Sequence, residues 1–170
     1  MNIIKNSDFL SATKDRHILL DTTVFIDASS APAKFANIFN ELKGNGCVLV
    51  TLECVLTEFI KGGSDEKKLA EKRQYVEDIV DAFLPITSEV TQDATKLAEI
   101  YKEDGKKVSV TDFFLGAMIM RYKKMLLMTC NITDFPTNIF NLETFLTFVH
   151  RKAIETCGFY SFSNSNSPLA

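Results

Sequence analysis

Three short apolar runs, each halted by a polar residue, constrain this chain more than any other feature. Residues 17–20 (His-Ile-Leu-Leu) stop at Asp21, residues 47–50 (Cys-Val-Leu-Val) at Thr51, and residues 125–128 (Met-Leu-Leu-Met) at Thr129. Runs this short, without polar alternation, read as strands buried on both faces, and such strands belong to parallel sheets covered by helices. The segments between them carry the helical period. Residues 32–42 form a helix with Pro32 in its first turn and Gly44 as its C-cap, and Leu52, Val55, Leu56, Phe59 and Ile60 recur at helical spacing until Gly62 and Gly63. Residues 65–83 align Leu69, Val76, Ile79, Val80 and Phe83, while residues 91–104 align Ala94, Leu97, Ala98 and Tyr101 and close at Gly105. Residues 110–122 are apolar nearly all round, as in a helix packed centrally on a sheet. Weaker strand signals lie near residues 84–87 and 145–149. Alternating strands and helices predict the α/β class, with a central, mostly parallel sheet flanked by helices in three layers.

Composition removes several classes. Gly and Pro number only 7 and 4, too few for a low-complexity or collagen-like chain. No apolar stretch approaches the about 20 residues that a bilayer span requires. Residues 1–8 lack an apolar segment behind basic residues, so no secretion signal is read and a cytoplasmic protein without a membrane partner is expected. Cys47, Cys54, Cys130 and Cys157 are scattered, which predicts free thiols, and His17 and His150 share no zinc-ligand spacing with them. A net charge of −3 lacks the basic footprint of a duplex-DNA binder. The length suits one domain, placed at residues 1–160, with the Ser- and Asn-rich residues 161–170 as a flexible tail.

No glycine-rich dinucleotide turn, phosphate loop or serine elbow is present, which leaves the carboxylates. Asp21 ends the first strand, Asp134 follows the run at 125–128, and Asp112 opens the apolar helix. On a helix beginning near Leu52, Thr51 and Glu58 fall about 20° apart on one flank. Open α/β sheets place ligands beyond the carboxyl ends of their strands, where these four acids can converge. Gathered carboxylates repel one another unless a cation joins them, and hard oxygen donors select Mg²⁺ or Mn²⁺. Such an ion activates water and neutralises a phosphodiester, which is nuclease chemistry. Each acid also has a local reading: Asp21 as a helix cap, Asp112 in a capping box with Ser109, Glu58 as a solvated helix edge, and Asp134 as a turn residue. Asp27 and Glu53 are lower-ranked substitutes for Asp21 and Glu58. Lys106 and Lys107, in the turn ahead of Asp112, are the candidate phosphate contacts. Lys67, Lys68, Lys72, Arg73, Arg121, Lys123 and Lys124 read as solvated charges.

Four pieces, in order, resemble the PIN domains and in particular the VapC-like toxin ribonucleases. Residues 19–26, with Asp21 and Thr22, are similar to the family's opening strand and turn, and residues 51–62 place Glu58 at its helical acid. Residues 93–112, through Tyr101, Gly105 and Lys106 to Asp112, resemble its helix, glycine turn and third acid; residues 127–135 resemble its T-x-N-x-x-D-F ending. The resemblance implies a divalent-metal-dependent endoribonuclease that hydrolyses RNA through the quartet Asp21, Glu58, Asp112 and Asp134. Asp21 and Asp112 would be the central ligands of Mg²⁺ or Mn²⁺, Glu58 and Asp134 direct or water-mediated ones, and Thr22, Thr129 and Asn131 supporting residues. The implied role is the toxin of a type II toxin–antitoxin pair, with an RNA substrate and a co-encoded antitoxin as partners and a homodimer as a candidate assembly. A non-catalytic scaffold for RNA or a partner and an RNA-maturation nuclease are the alternatives. Position 23 is Thr where many relatives have Asn or Ser, and the chain is longer than the shortest toxins.

Overall fold

The computed structural model describes residues 2–63, 65–103, 108–149 and 154–163. In chain order its strands are β1 (Asn2–Lys5), β2 (His17–Leu20), β3 (Val48–Leu52), β4 (Ala82–Leu84), β5 (Met125–Thr129), β6 (Phe140–Val149) and β7 (Ile154–Phe162). Its helices are α1 (Phe9–Thr13), α2 (Thr22–Ser30), α3 (Pro32–Gly44), α4 (Glu53–Ile60), α5 (Glu66–Ile79), α6 (Ser88–Glu103) and α7 (Val110–Arg121). All the strands join one sheet of order β1-β6-β7-β5-β2-β3-β4. The half made of β5, β2, β3 and β4 is parallel. Antiparallel β7, β6 and β1 extend it on the β5 side.

Burial shows why these runs are strands of this kind. Successive strand residues point to opposite faces, yet Ile18, Leu19 and Leu20 in β2, like Leu126, Leu127 and Met128 in β5, are all fully buried. Both faces are therefore covered, and the sheet is the middle of three layers. α7 packs on β5 and β7 and pairs with α6, whereas α3 and α4 pack on β3. The chain leaves β2 for β3 on one side and returns to β5 on the other, so β2 lies where the strand order reverses. In such sheets a crevice opens at that point, beyond the strands' carboxyl ends.

Several boundaries move for reasons a local pattern does not contain. The helix expected over residues 65–83 ends at Ile79; Val80 is extended, and residues 82–84 pair with β3 as β4. α6 starts at Ser88, about a turn before the expected residue 91, and Gly105, expected to close it, lies outside the described residues. Thr51 belongs to β3, where its hydroxyl donates to the Leu20 carbonyl, rather than to the helix flank shared with Glu58. Gly44 stays inside α3, which is capped by Asn45; the left-handed residue is Gly46, at φ 81°, where a Cβ would stand 2.2 Å from Asp15 Oδ1. β1 and β7 correspond to no strand expected from the sequence. β7 carries the chain through Phe162, and residues 164–170 of the expected tail lie outside the described residues.

Two side-chain expectations are also corrected. Cys130 and Cys157 are not free thiols but form a disulfide, because β5 and β7 bring their Cα atoms to 3.9 Å; Cys47 and Cys54 remain free. Arg121 is not simply solvated: its guanidinium lies 2.6 Å from Asp93, a carboxylate only 2% exposed, and this pair ties α7 to α6. Lys72 likewise donates to the Phe59 carbonyl and stands 4.6 Å from the centre of that ring.

Candidate active site

β2 delivers Asp21 to the crevice because the strand ends there and a helix begins. The Asp21 amide still donates to the Met128 carbonyl across the ladder, while its carboxylate caps α2 by accepting from the Thr22 amide at 2.6 Å. That carboxylate is buried, with 4% of the residue exposed, and Oδ2 accepts from the hydroxyls of Thr23 and Thr129, each at 2.7 Å. The cradle is extended by backbone amides: Asn131 donates to the Thr129 hydroxyl and Cys130 to the Thr23 hydroxyl, both at 3.1 Å. Burial pushes the Asp21 carboxyl above its ordinary range and the Glu58 charge adds to this, against the hydrogen bonds from Thr129, Thr23 and Thr22.

The other three acids arrive from different elements. Glu58, exposed near the end of α4, accepts from the Thr22 hydroxyl at 2.9 Å, so Thr22 links it to the start of α2. Asp112, half-buried in the first turn of α7, forms the capping box with Ser109 foreseen as its local role. Among the described residues, the side-chain hydrogen bonds of Asp112 use Oδ2, which accepts from the Ser109 hydroxyl at 2.6 Å and the Ser109 amide at 3.2 Å. Its carboxyl is pushed up to about 6, chiefly by burial and further by the charges of Asp21 and Asp134, against the Ser109 bonds. Asp134 is held from its own loop and from α6: Asn131 Nδ2 donates to Oδ2 at 2.5 Å, and the hydroxyl of Tyr101 in α6 donates to the Asp134 carbonyl at 2.6 Å.

The four acids are thus linked through their charges, Glu58 with Asp21, and Asp21 and Asp134 with Asp112. Among the described residues none of them forms an ion pair, so hydroxyl and amide donors alone offset their repulsion. The donor set is hard oxygen throughout and fits a divalent cation of the Mg²⁺ or Mn²⁺ type. It is a looser set than a closed cage: no three of these acids bring ligand atoms within 4.8 Å of one another. The local readings of Asp21 and Asp112 as caps also hold, so one oxygen serves the fold in Asp112 while the side chain still faces like charges.

Of the substitutes, Glu53 points to Arg73 at 3.8 Å, and Asp27 lines a groove with Thr23, Cys130 and Asn131 that none of the four acids lines. Lys106 and Lys107 lie outside the described residues. Thr23 was not among the expected supporting residues, although it touches Asp21 directly; a hydroxyl two positions beyond a strand-ending Asp was the available signal. A cavity of about 540 Å³ opens beside His17 and Met125, the first residues of β2 and β5, and none of the acids lines it.

Two solved structures are similar: VapBC2 from Rickettsia felis bound to a DNA fragment from their promoter, and VapBC-1 from nontypeable Haemophilus influenzae. The first is 18% identical, covers 69% of this chain and 89% of its own, and superposes with a TM-score of 0.58. The second is 19% identical, covers 70% and 90%, and gives 0.57. At these identities the likeness is one of fold. No curated protein sequence matches the chain. A family model described as the PIN domain matches residues 18–135, a span that contains all four acids and, save for His17, the parallel half of the sheet, and leaves out β1, β6 and β7. The chain belongs to the PIN domain family.

Proposed function

We propose that this chain is a divalent-metal-dependent endoribonuclease and the toxin of a type II toxin–antitoxin pair. The observation that carries the reading is the set of four like charges from β2, α4, α7 and the loop after β5, held by hydroxyls and amides without a cationic side chain among the described residues. Such repulsion has no benefit for the fold alone. PIN domains are generally nucleases, and the two similar structures are toxin–antitoxin complexes, which supports the role and an antitoxin partner.

In this reading Asp21 and Asp112 hold the ion, Mg²⁺ or Mn²⁺, and Glu58 and Asp134 contribute directly or through water. The bound ion supplies activation of water and neutralises charge that builds on the phosphodiester. Thr129 and Thr23 orient the Asp21 carboxylate, Thr22 positions Glu58, and Asn131 positions Asp134. Lys106 and Lys107, just ahead of Asp112 in the chain, are assigned to an RNA phosphate. The test is cleavage of a labelled RNA panel with Mn²⁺ and with EDTA. Asp21→Asn or Asp112→Asn should abolish all but about a tenth of the metal-dependent cleavage with an unchanged circular dichroism spectrum. Full activity in EDTA, or in both variants, would refute the assignment. Expression alone should slow growth and a co-encoded partner relieve it; harmless expression of an RNA-cleaving protein would instead indicate RNA maturation.

A further inference from the structure

The antiparallel register of β5 and β7 pairs Met128 with Phe159 and Thr129 with Gly158, so the next opposed residues are Cys130 and Cys157. Their sulfurs are bonded. Asp27, from the middle of α2, brings a carboxylate oxygen within 4.8 Å of both sulfurs, and this is the sole such trio of candidate ligands among the described residues. Cys130 and Asp27 are half-buried in the wall of a groove of about 520 Å³ shared with Thr23, Asn131 and Ile132, whereas Cys157 is fully buried behind them. β7 is held on both edges by ladders to β5 and β6, so its backbone keeps the two sulfurs side by side whether or not they are bonded. A disulfide sulfur is a poor ligand, but two thiolates and a carboxylate form a donor set that selects zinc over the hard cations suited to the four acids.

We propose that reducing the Cys130–Cys157 bond turns this corner into a binding site for a zinc-class divalent cation. Its ligands are the two sulfurs and the Asp27 carboxylate, with the remaining position open to water from the groove. Breaking the S–S bond takes two electrons and two protons. Two thiols supply them and leave as their own disulfide, or a phosphine does so and leaves as its oxide, with water providing the oxygen and the protons. Each cysteine then releases its proton to solvent as it takes the ion. The site does not rest on the nuclease reading, although the Cys130 amide donates to Thr23, which in turn donates to Asp21.

The full chain, reduced with a phosphine, desalted without oxygen and titrated with Co²⁺ alone, should develop a sulfur-to-cobalt charge-transfer band and strong tetrahedral d–d bands at one ion per chain. The oxidised chain should develop neither. Cobalt bound by the acids gives weak bands and no charge transfer, so filling that site cannot imitate the result. Cys130→Ser should remove the bands and Cys54→Ser should leave them. Asp27→Asn should keep the charge transfer but weaken binding by at least about tenfold. Bands that are missing from the reduced chain, present in the oxidised one or retained by Cys130→Ser overturn the proposal, as does an Asp27→Asn variant that binds like the wild type.

Discussion

Neutralising Asp112 should stabilise the metal-free protein, against the usual effect of altering a helix cap. The Asp112 carboxyl titrates at about 6 in the fold and at an ordinary 3.8 outside it. Between those values the folded chain holds a proton that the unfolded chain has released, so stability falls as pH rises through that window and stays low above it. The gap is equivalent to about 3 kcal/mol, of which solvent screening of a half-buried side chain leaves about 1–2 kcal/mol. Asparagine keeps the shape and an acceptor oxygen for the Ser109 amide, while removing the charge that faces Asp21 and Asp134. In EDTA at about pH 7.5 the variant should therefore melt about 2–8 °C above the wild type, and the difference should shrink as pH falls from about 6 to about 4. Thermal melts by circular dichroism across that range read both quantities. A variant that melts lower at neutral pH, with the same pH dependence as the wild type, would show that the cap outweighs the repulsion. Saturating Mn²⁺ should raise the wild-type midpoint by mass action and the variant's much less.

Three further outcomes follow from the contacts described above. Thr129→Val removes a hydroxyl that donates to Asp21 and accepts from the Asn131 amide, and should cost about 1–3 kcal/mol in urea denaturation; an unchanged midpoint would argue against that network. Arg121→Leu leaves Asp93 buried with, among the described residues, only Lys96 at 3.3 Å, so a loss of about 3 kcal/mol is expected in the same assay; an unchanged midpoint would argue against the pair as a tie between α6 and α7. Gly46→Ala forces a side chain into the left-handed region and against Asp15, which should lower stability by about 1–2 kcal/mol in the same assay.

Local chemistry made the parallel half of this protein legible. A buried strand must be a short unbroken apolar run, and it must end where the chain meets polar surroundings, so Asp21 and Thr129 announced the strand ends without any knowledge of their neighbours. The caps were equally local, since Ser109 and Asp112 satisfy one another within a single turn. In the sequence, the rule for open sheets and a family likeness together suggested that Glu58, Asp112 and Asp134 approach Asp21, whereas in the molecule β2 lies between β5 and β3 and ends at Asp21. The antiparallel half was legible only in part, through the weak strand signal at residues 145–149 that falls within β6. β7 begins among polar residues and acquires its strand character from the partners on either side, and β1 depends on β6 in the same way. The Cys130–Cys157 bond is the sharpest case, because spacing of 27 residues says nothing about contact and one shift of register would separate the sulfurs. Strand ends, helix faces and caps are set by interactions within a few residues and can be read along the chain. Strand order and register are set by contacts between distant segments, and only the folded sheet decides them.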